Sequence, residues 1–125
     1  YLLNVDNPLV VPEDTKIRML LTGQDVIHAW WVPAFGMKKD AIPGTINELW
    51  FKVDAGKTGT YRGQCAELCG RDHGFMPVVV KVVTKEEYKA WLAAQKAATS
   101  PAPAEAPADA PAADAVAALP AAPRG

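Results

Sequence analysis

Thr60-Tyr-Arg-Gly-Gln64 and Pro77-Val-Val-Val-Lys-Val-Val83 are two strand-like runs, and the loop Cys65-Ala-Glu-Leu-Cys69-Gly-Arg-Asp-His73-Gly-Phe-Met76 lies between them. The second run is β-branched almost throughout, which is typical of a strand covered on both faces. The loop contains both cysteines and one of the two histidines of the chain. We therefore expect two strands that carry a chemically specialised loop between them.

Alternating patterns before this segment predict further strands. Residues 15–22 and 48–53 alternate apolar and polar side chains, as a half-buried strand does. Residues 54–59 supply the turn residues that precede the strand at 60–64. Residues 7–12 predict an edge strand, because each of its two prolines lacks the amide that a central strand donates.

One helix is predicted after the last strand. Thr84-Lys-Glu-Glu87 has the spacing of a capping box, in which the Thr hydroxyl and the Glu carboxylate satisfy free amides at a helix start. Tyr88, Trp91 and Leu92 then recur at helical spacing, and we expect the helix to end near Ala97. Several short strands with one terminal helix predict an all-β fold, either a small antiparallel sandwich or a Greek-key barrel.

Composition divides the 125 residues into a folded domain, residues 1–97, and an Ala/Pro-rich tail, residues 98–125, which we expect to be a disordered tail or linker. The formal net charge of −1 lacks the positive excess typical of nucleic-acid binders, so we expect no nucleic-acid partner. No stretch reaches the roughly 20 apolar residues of a membrane helix, so we expect a soluble chain. Because it begins with Tyr1, we expect a processed product or an excised fragment.

Soft metal-binding side chains are concentrated in the loop. Cys65, Cys69, His73 and Met76 lie there, and His28 lies upstream, where we expect a separate loop. Thiolate, imidazole and thioether groups together favour copper over harder cations. If both thiolates bridge two copper ions, the two histidines, Met76 and a loop carbonyl complete four positions on each ion. A single blue-copper site needs only one cysteine, so the second thiolate favours a binuclear site.

Other interpretations of the same residues stay open at this point. A disulfide between Cys65 and Cys69 fits an exported protein. Two cysteines and two histidines also satisfy a tetrahedral zinc site by type, although this spacing is unusual for zinc and leaves Met76 without a role. A copper carrier that hands its metal on is a hypothesis from another class, and it requires exchangeable coordination. Asp25, near His28, is interpreted as a solvated loop charge.

Five motifs occur in order and without large gaps: Asp6-Asn-Pro-Leu-Val10, Asp25-Val-Ile-His-Ala-Trp30, Lys39-Asp-Ala-Ile-Pro-Gly44, Gly63-Gln-Cys-Ala-Glu-Leu-Cys-Gly70 and His73-Gly-Phe-Met-Pro77. Together they closely resemble the CuA domain of subunit II of haem-copper cytochrome c oxidases, over about residues 1–97. The resemblance implies a cupredoxin-like Greek-key β-sandwich. It also implies a binuclear copper centre that receives single electrons from cytochrome c and passes them to haem in oxidase subunit I.

Carried over position by position, the resemblance implies six metal-site residues: His28, Cys65, Glu67, Cys69, His73 and Met76. The cysteines correspond to bridging ligands, the histidines to terminal ligands and the methionine to a weak axial ligand. Glu67 corresponds to the carbonyl ligand, and its side chain in that family also reaches a magnesium ion at the interface with subunit I. Nitrous oxide reductase typically has an aromatic residue at the Glu67 position, and quinol oxidases lack the copper ligands. The donor implied is therefore cytochrome c.

The same resemblance implies where the domain works. In that family two transmembrane helices and an aromatic cluster precede the motif at Asp6, so we expect the membrane anchor to lie upstream of this chain. The domain is then expected on the periplasmic or extracytoplasmic face of an energy-transducing membrane, with the bacterial inner membrane preferred.

Overall fold

The computed structural model describes residues 3–99, which form seven strands, two 3-10 turns and one α-helix. The elements are β1 (Leu9–Pro12), β2 (Lys16–Leu21), β3 (His28–Val32), β4 (Met37–Ala41), β5 (Asn47–Lys52), β6 (Gly59–Cys65), β7 (Pro77–Val83) and α1 (Lys85–Thr99), with 3-10 turns at Pro33–Phe35 and His73–Phe75. No helix in this range is long and apolar enough to cross a membrane. The predicted tail, apart from the end of α1, lies outside the described residues.

The strands form two sheets that enclose one core. The larger sheet has the order β1-β7-β6-β3-β4, and the smaller pairs β2 with β5. All pairs are antiparallel except β1 with β7, where Leu9 lies opposite Val80 and Pro12 opposite Val83. The predicted antiparallel sandwich or Greek-key barrel thus includes one parallel pair at this edge, because a long crossing connection separates β1 from its partner and permits parallel pairing. β1 lies at the edge of its sheet, as predicted from its prolines.

The core combines the apolar faces of both sheets. β2 and β5 alternate as predicted, with Ile17 opposite Phe51 and Met19 opposite Leu49. The buried cluster consists of Val11, Val32, Leu49, Phe51, Val53, Val80 and Val82. Val32 and Val80 are completely buried, and burying such a side chain contributes about 1.5–3 kcal/mol. These two residues belong to β3 and β7, the strands that flank β6 in the larger sheet.

β7 fits the prediction of a strand covered on both faces only at its centre. Val79 and Val80 point to opposite faces of the sheet and both are buried. Residues of the segment 4–8 line a shallow cavity together with Val79, which accounts for cover on the outer face. Lys81 lines the same cavity but is exposed, so the outer face is covered less completely at that position.

Two strands, β3 and β4, have no counterpart among the predicted elements. β3 reads His-Ala-Trp-Trp-Val and β4 reads Met-Lys-Lys-Asp-Ala, so neither shows a clear period-2 alternation. They pair over all five positions, and Gly36, with a φ of 68°, turns the chain between them. Cross-strand pairing therefore forms these strands where the local pattern does not. The sequence interpretation placed His28 in a separate loop. This placement is wrong, because His28 is the first residue of β3.

Helix α1 begins with the predicted capping box. The amide of Thr84 donates to Glu87 Oε2 at 2.9 Å, and the amide of Glu87 donates to Thr84 Oγ1 at 3.3 Å. The helix ends two residues later than predicted, because Ala98 continues a helix-favouring run and the Thr99 hydroxyl donates to the Gln95 carbonyl at 2.8 Å.

One carboxylate ties the start of α1 to both sheets. Asp14 accepts hydrogen bonds from Lys52 Nζ at 2.6 Å and from Lys85 Nζ at 3.3 Å. The bond with Lys52, followed by that with Lys85, holds the pKa of Asp14 below its usual range. The turn between β1 and β2, the end of β5 and the helix are thereby joined at one point.

Candidate metal centre

Main-chain hydrogen bonds close the loop between β6 and β7 at its base. The amide of Cys65 donates to the carbonyl of Met76 at 3.0 Å, so the loop leaves and re-enters the sheet at one place. The amide of Ala66 donates to the carbonyl of Ala29, also at 3.0 Å, and this bond joins the loop to β3. The first end of the loop is therefore bonded to β3, which carries His28, and the second end is bonded to the first.

Two thiols occupy the centre of the cluster. The Sγ atoms of Cys65 and Cys69 are 3.9 Å apart, and both cysteines are free. His28 Nδ1 lies 3.9 Å from Cys65 Sγ, and His73 Nδ1 lies 3.5 Å from Cys69 Sγ. Each thiol therefore lies beside one imidazole, and the His73 ring also acts on Cys65.

A weak donor also lies beside each thiol. Met76 Sδ is 3.4 Å from Cys69 Sγ, and the carbonyl oxygen of Glu67 is 3.3 Å from Cys65 Sγ. The Glu67 residue is exposed. The structure thus brings together every residue of the predicted site as two sets, each with one thiol, one imidazole and one weak donor.

The two thiols differ in acidity. Burial raises the pKa of Cys65, but hydrogen bonds with the backbone of Ala29 and Glu67 and with both histidine rings outweigh burial and lower this pKa to about 6. Burial and the adjacent Cys65 sulfur raise the pKa of Cys69. The thiolate is the form that binds metal. Cys65 is therefore already a thiolate at neutral pH, whereas Cys69 loses its proton as a metal binds.

A carboxylate holds His28 on the side away from the thiols. Asp25 Oδ1 lies 2.7 Å from His28 Nε2, while Nδ1 of the same ring faces Cys65. The bond with Asp25, followed by that with Cys65, raises the pKa of His28, and the same contact lowers the pKa of Asp25. Asp25 is an exposed loop charge, as interpreted, with its side chain 71% exposed, but the sequence interpretation missed its contact with His28. Its i, i+3 spacing from His28 is the one sequence signal of this contact.

Exposed apolar side chains flank the cluster. Leu68 and Phe75, in the loop, are 78% and 62% exposed. Val26 and Ile27, immediately before β3, are 43% and 44% exposed. Apolar groups gathered in this way mark interaction surfaces on proteins. The cluster therefore opens onto a face suited to contact with another macromolecule.

The donor set fits a pair of copper ions. Thiolates, imidazoles and a thioether are soft or borderline donors, which copper prefers. A structural zinc ion takes four ligands, and the six donors present here exceed that number. A disulfide needs the sulfur atoms at about 2.05 Å, whereas the two thiols here are separated by 3.9 Å.

Sequence comparison identifies the family. Residues 1–83 match the family described as cytochrome c oxidase subunit II, periplasmic domain. This chain belongs to that family. It is 54% identical over 92 residues to the probable cytochrome c oxidase subunit 2 of Rickettsia prowazekii (strain Madrid E), an alignment that covers 74% of this chain and 29% of the relative. The chain thus spans less than a third of the length of that subunit 2 relative.

Two solved structures of subunit II periplasmic domains are similar to this one. The crystal structure of that domain from cytochrome oxidase (CoxB) of Bradyrhizobium japonicum is 54% identical, with a TM-score of 0.73 over 78% of this chain and 69% of the other. A mixed disulfide intermediate between thioredoxin-like TlpA and subunit II of cytochrome c oxidase matches at 52% identity and a TM-score of 0.66, over 74% and 64% of the chains. The predicted family and the predicted cupredoxin-like fold are confirmed.

Proposed function

We propose that this chain is the CuA electron-transfer domain of a cytochrome c oxidase subunit II. The observation that carries the proposal is the paired arrangement of two free thiols 3.9 Å apart, each beside its own imidazole and its own weak donor. The residues that would hold two copper ions are Cys65 and Cys69 as bridges, His28 and His73 as terminal ligands, and Met76 and the carbonyl of Glu67 as weak ligands.

The role of the protein in this function is to hold the ligands in place. When bound, the copper pair supplies one-electron storage shared over two ions. His28 is the first residue of β3, Cys65 is the last residue of β6, and the remaining ligands lie on a loop closed at its base. Fixed ligand positions limit the geometric change between redox states. Six protein donors also leave no open position for a substrate, in contrast to a catalytic metal site.

Cytochrome c is the proposed electron donor and haem in oxidase subunit I the proposed acceptor, at the periplasmic or extracytoplasmic face of a membrane. The subunit 2 relatives support this assignment, and the exposed Leu68 and Phe75 offer an apolar surface for docking beside the cluster. Oxygen reduction would then belong to the assembled oxidase. Within that assembly, the exposed Glu67 carboxylate would reach a magnesium ion at the interface with subunit I.

Copper content and electron paramagnetic resonance of the reconstituted, oxidised chain test the proposal. We expect two copper ions per chain and one unpaired electron split by both nuclei. Cys65→Ser and Cys69→Ser should each abolish this signal, whereas Ala66→Ser, which adds a hydroxyl to the same loop without removing a ligand, should keep it. One copper ion per chain, or a signal from localised Cu(II), would contradict the binuclear assignment. Rapid loss of copper to a chelator would favour the carrier hypothesis.

A second proposed function belongs to the metal-free chain, which would undergo thiol–disulfide exchange. The support is the proximity of Cys65 and Cys69 together with the similar subunit II domain captured in a mixed disulfide with a thioredoxin-like protein. If the two cysteines are oxidised, a thiolate of a thioredoxin-like dithiol attacks their disulfide and forms a mixed disulfide. Its second thiol then releases both cysteines as thiols and leaves the disulfide on the partner. After the oxidised chain is mixed with a reduced thioredoxin-like protein, thiol titration should recover two free thiols per chain. Recovery of no free thiol would contradict the proposal.

A further inference from the structure

The ring of His28 is held by different groups at its two nitrogen atoms. Nε2 lies 2.7 Å from Asp25 Oδ1, within normal hydrogen-bond distance, whereas Nδ1 lies 3.9 Å from Cys65 Sγ. A neutral imidazole carries one proton, so one nitrogen donates and the other offers a lone pair. A carboxylate only accepts, and the short contact therefore places the proton on Nε2. In the neutral ring the lone pair of Nδ1 is then directed toward the thiols, whereas in the protonated ring Nδ1–H donates to Cys65 Sγ.

His73 has no equivalent support. Its Nδ1 lies 3.5 Å from Cys69 Sγ, but within residues 3–99 no carboxylate is paired with its ring. The adjacent Asp72 instead lies 3.8 Å from Arg71 Nε, and both side chains are largely exposed. The two imidazoles of the cluster are therefore unequal, because only one is hydrogen-bonded to an anion.

We propose that Asp25 is a positioning residue, which fixes the Nε2–H tautomer of His28 and makes that imidazole the stronger electron donor of the two. This inference rests on the proposed copper function for its effect on a metal, but not for the tautomer. A carboxylate bonded to a ligating histidine fixes the ring and increases its basicity. A more basic ligand stabilises the oxidised metal more than the reduced one, so removal of Asp25 should raise the reduction potential.

The metal-free chain provides the first test, which is independent of copper. Long-range ¹H–¹⁵N correlation spectra, recorded where the ring is neutral, distinguish a proton on Nε2 from one on Nδ1. We expect the Nε2–H form of His28 in the unaltered chain and in Asp25→Glu, and a mixture or the Nδ1–H form in Asp25→Ala. An Nδ1–H form in the unaltered chain, or an unchanged tautomer in Asp25→Ala, would overturn the proposal even if copper binds normally.

The copper-loaded chain provides the second test, with a control for simple loss of charge. Asp25→Ala should lower copper affinity by about 10–100-fold, the usual effect of losing such a partner. Each tenfold loss that is specific to the oxidised form raises the potential by about 59 mV. Asp25→Asn keeps an acceptor oxygen and should show an intermediate change. Asp72→Asn is the control for loss of charge, because it removes one negative charge beside His73 and breaks no hydrogen bond to a histidine ring.

The outcomes separate the positioning role of Asp25 from the proposed copper function. A larger positive shift in Asp25→Ala than in Asp72→Asn supports the positioning role, whereas equal shifts in the two variants refute it and leave only long-range electrostatics. Failure of the unaltered chain to bind two copper ions would overturn the proposed function, while the tautomer spectra would still decide whether Asp25 positions His28.

Discussion

Replacing Gly63 by alanine tests how strongly the domain depends on the close approach of β6 to β3. A Cβ atom at this position would overlap the carbonyl oxygen of Trp31 and would lie 2.8 Å from its carbonyl carbon and 2.9 Å from the Cα of Val32. All three atoms belong to the backbone, so rotation of a side chain brings no relief. β6 would have to move by more than 0.6 Å, because that shift restores an ordinary distance of 3.4 Å only from the Trp31 carbonyl carbon, and the carbonyl oxygen lies closer still.

The expected cost follows from this displacement. Overpacking costs about 1–3 kcal/mol, and each weakened backbone hydrogen bond between the strands adds about 1 kcal/mol. We therefore expect Gly63→Ala to lower the free energy of unfolding by about 3 kcal/mol. In a domain of this size, that corresponds to a fall in thermal midpoint of about 12–24 °C, measured by circular dichroism on the metal-free chain.

Gly74→Ala is the matched control. No atom lies within 4 Å of its added Cβ, and its φ is not in the left-handed region. The control should leave the midpoint unchanged or raise it slightly, because alanine reduces the entropy of the unfolded chain. A fall of less than about 4 °C for Gly63→Ala, roughly 1 kcal/mol or less, would refute the reasoning and show that β6 moves freely.

Other predictions address the site, the acid stability and the tail. His28→Asn should abolish the shared-electron copper spectrum, and a normal spectrum with two copper ions would exclude His28 as a ligand. The lowered pKa of Asp14 means that its pairing with Lys52 and Lys85 stabilises the fold above the unfolded pKa of about 3.9, and this stabilisation is lost as the pH falls through the lower folded value. Midpoints measured across this acid range should therefore depend less on pH in Asp14→Asn, and an unchanged pH profile would contradict the role. Truncation after Thr99 should leave the thermal midpoint and copper content unchanged, and a large fall in midpoint would show that residues 100–125 contribute to the packing.

Elements whose local pattern agrees with their environment could be predicted from the sequence. β2 and β5 each bury one face, so their alternation was sufficient to place Met19 and Leu49 in the core. The capping box was also predictable, because both of its partners lie within four residues. In the candidate site, five of the six residues fall in one short segment, so the sequence was sufficient to assign them to one loop.

Features that depend on long-range pairing could not be predicted in this way. β3 and β4 form because they pair with each other, and three of the five residues of β4 are charged. The contact between Asp25 and His28 depends on how the chain enters β3, and that strand was itself missed. The parallel register of β1 likewise reflects the path of the intervening chain, which no local periodicity records.

The parallel pairing of β1 with β7 sets an order for synthesis and assembly. Leu9 pairs with Val80, which lies 71 positions later, so the first strand gains its partner in the sheet only after most of the domain has been made. Contacts at such separation slow folding, because most of the chain must be arranged before they form. The loop with Cys65 and Cys69 immediately precedes β7, so the same late step completes both the sheet and the candidate metal site. The candidate metal site is therefore complete only when the sheet is complete, and under the proposed function copper would bind the finished domain.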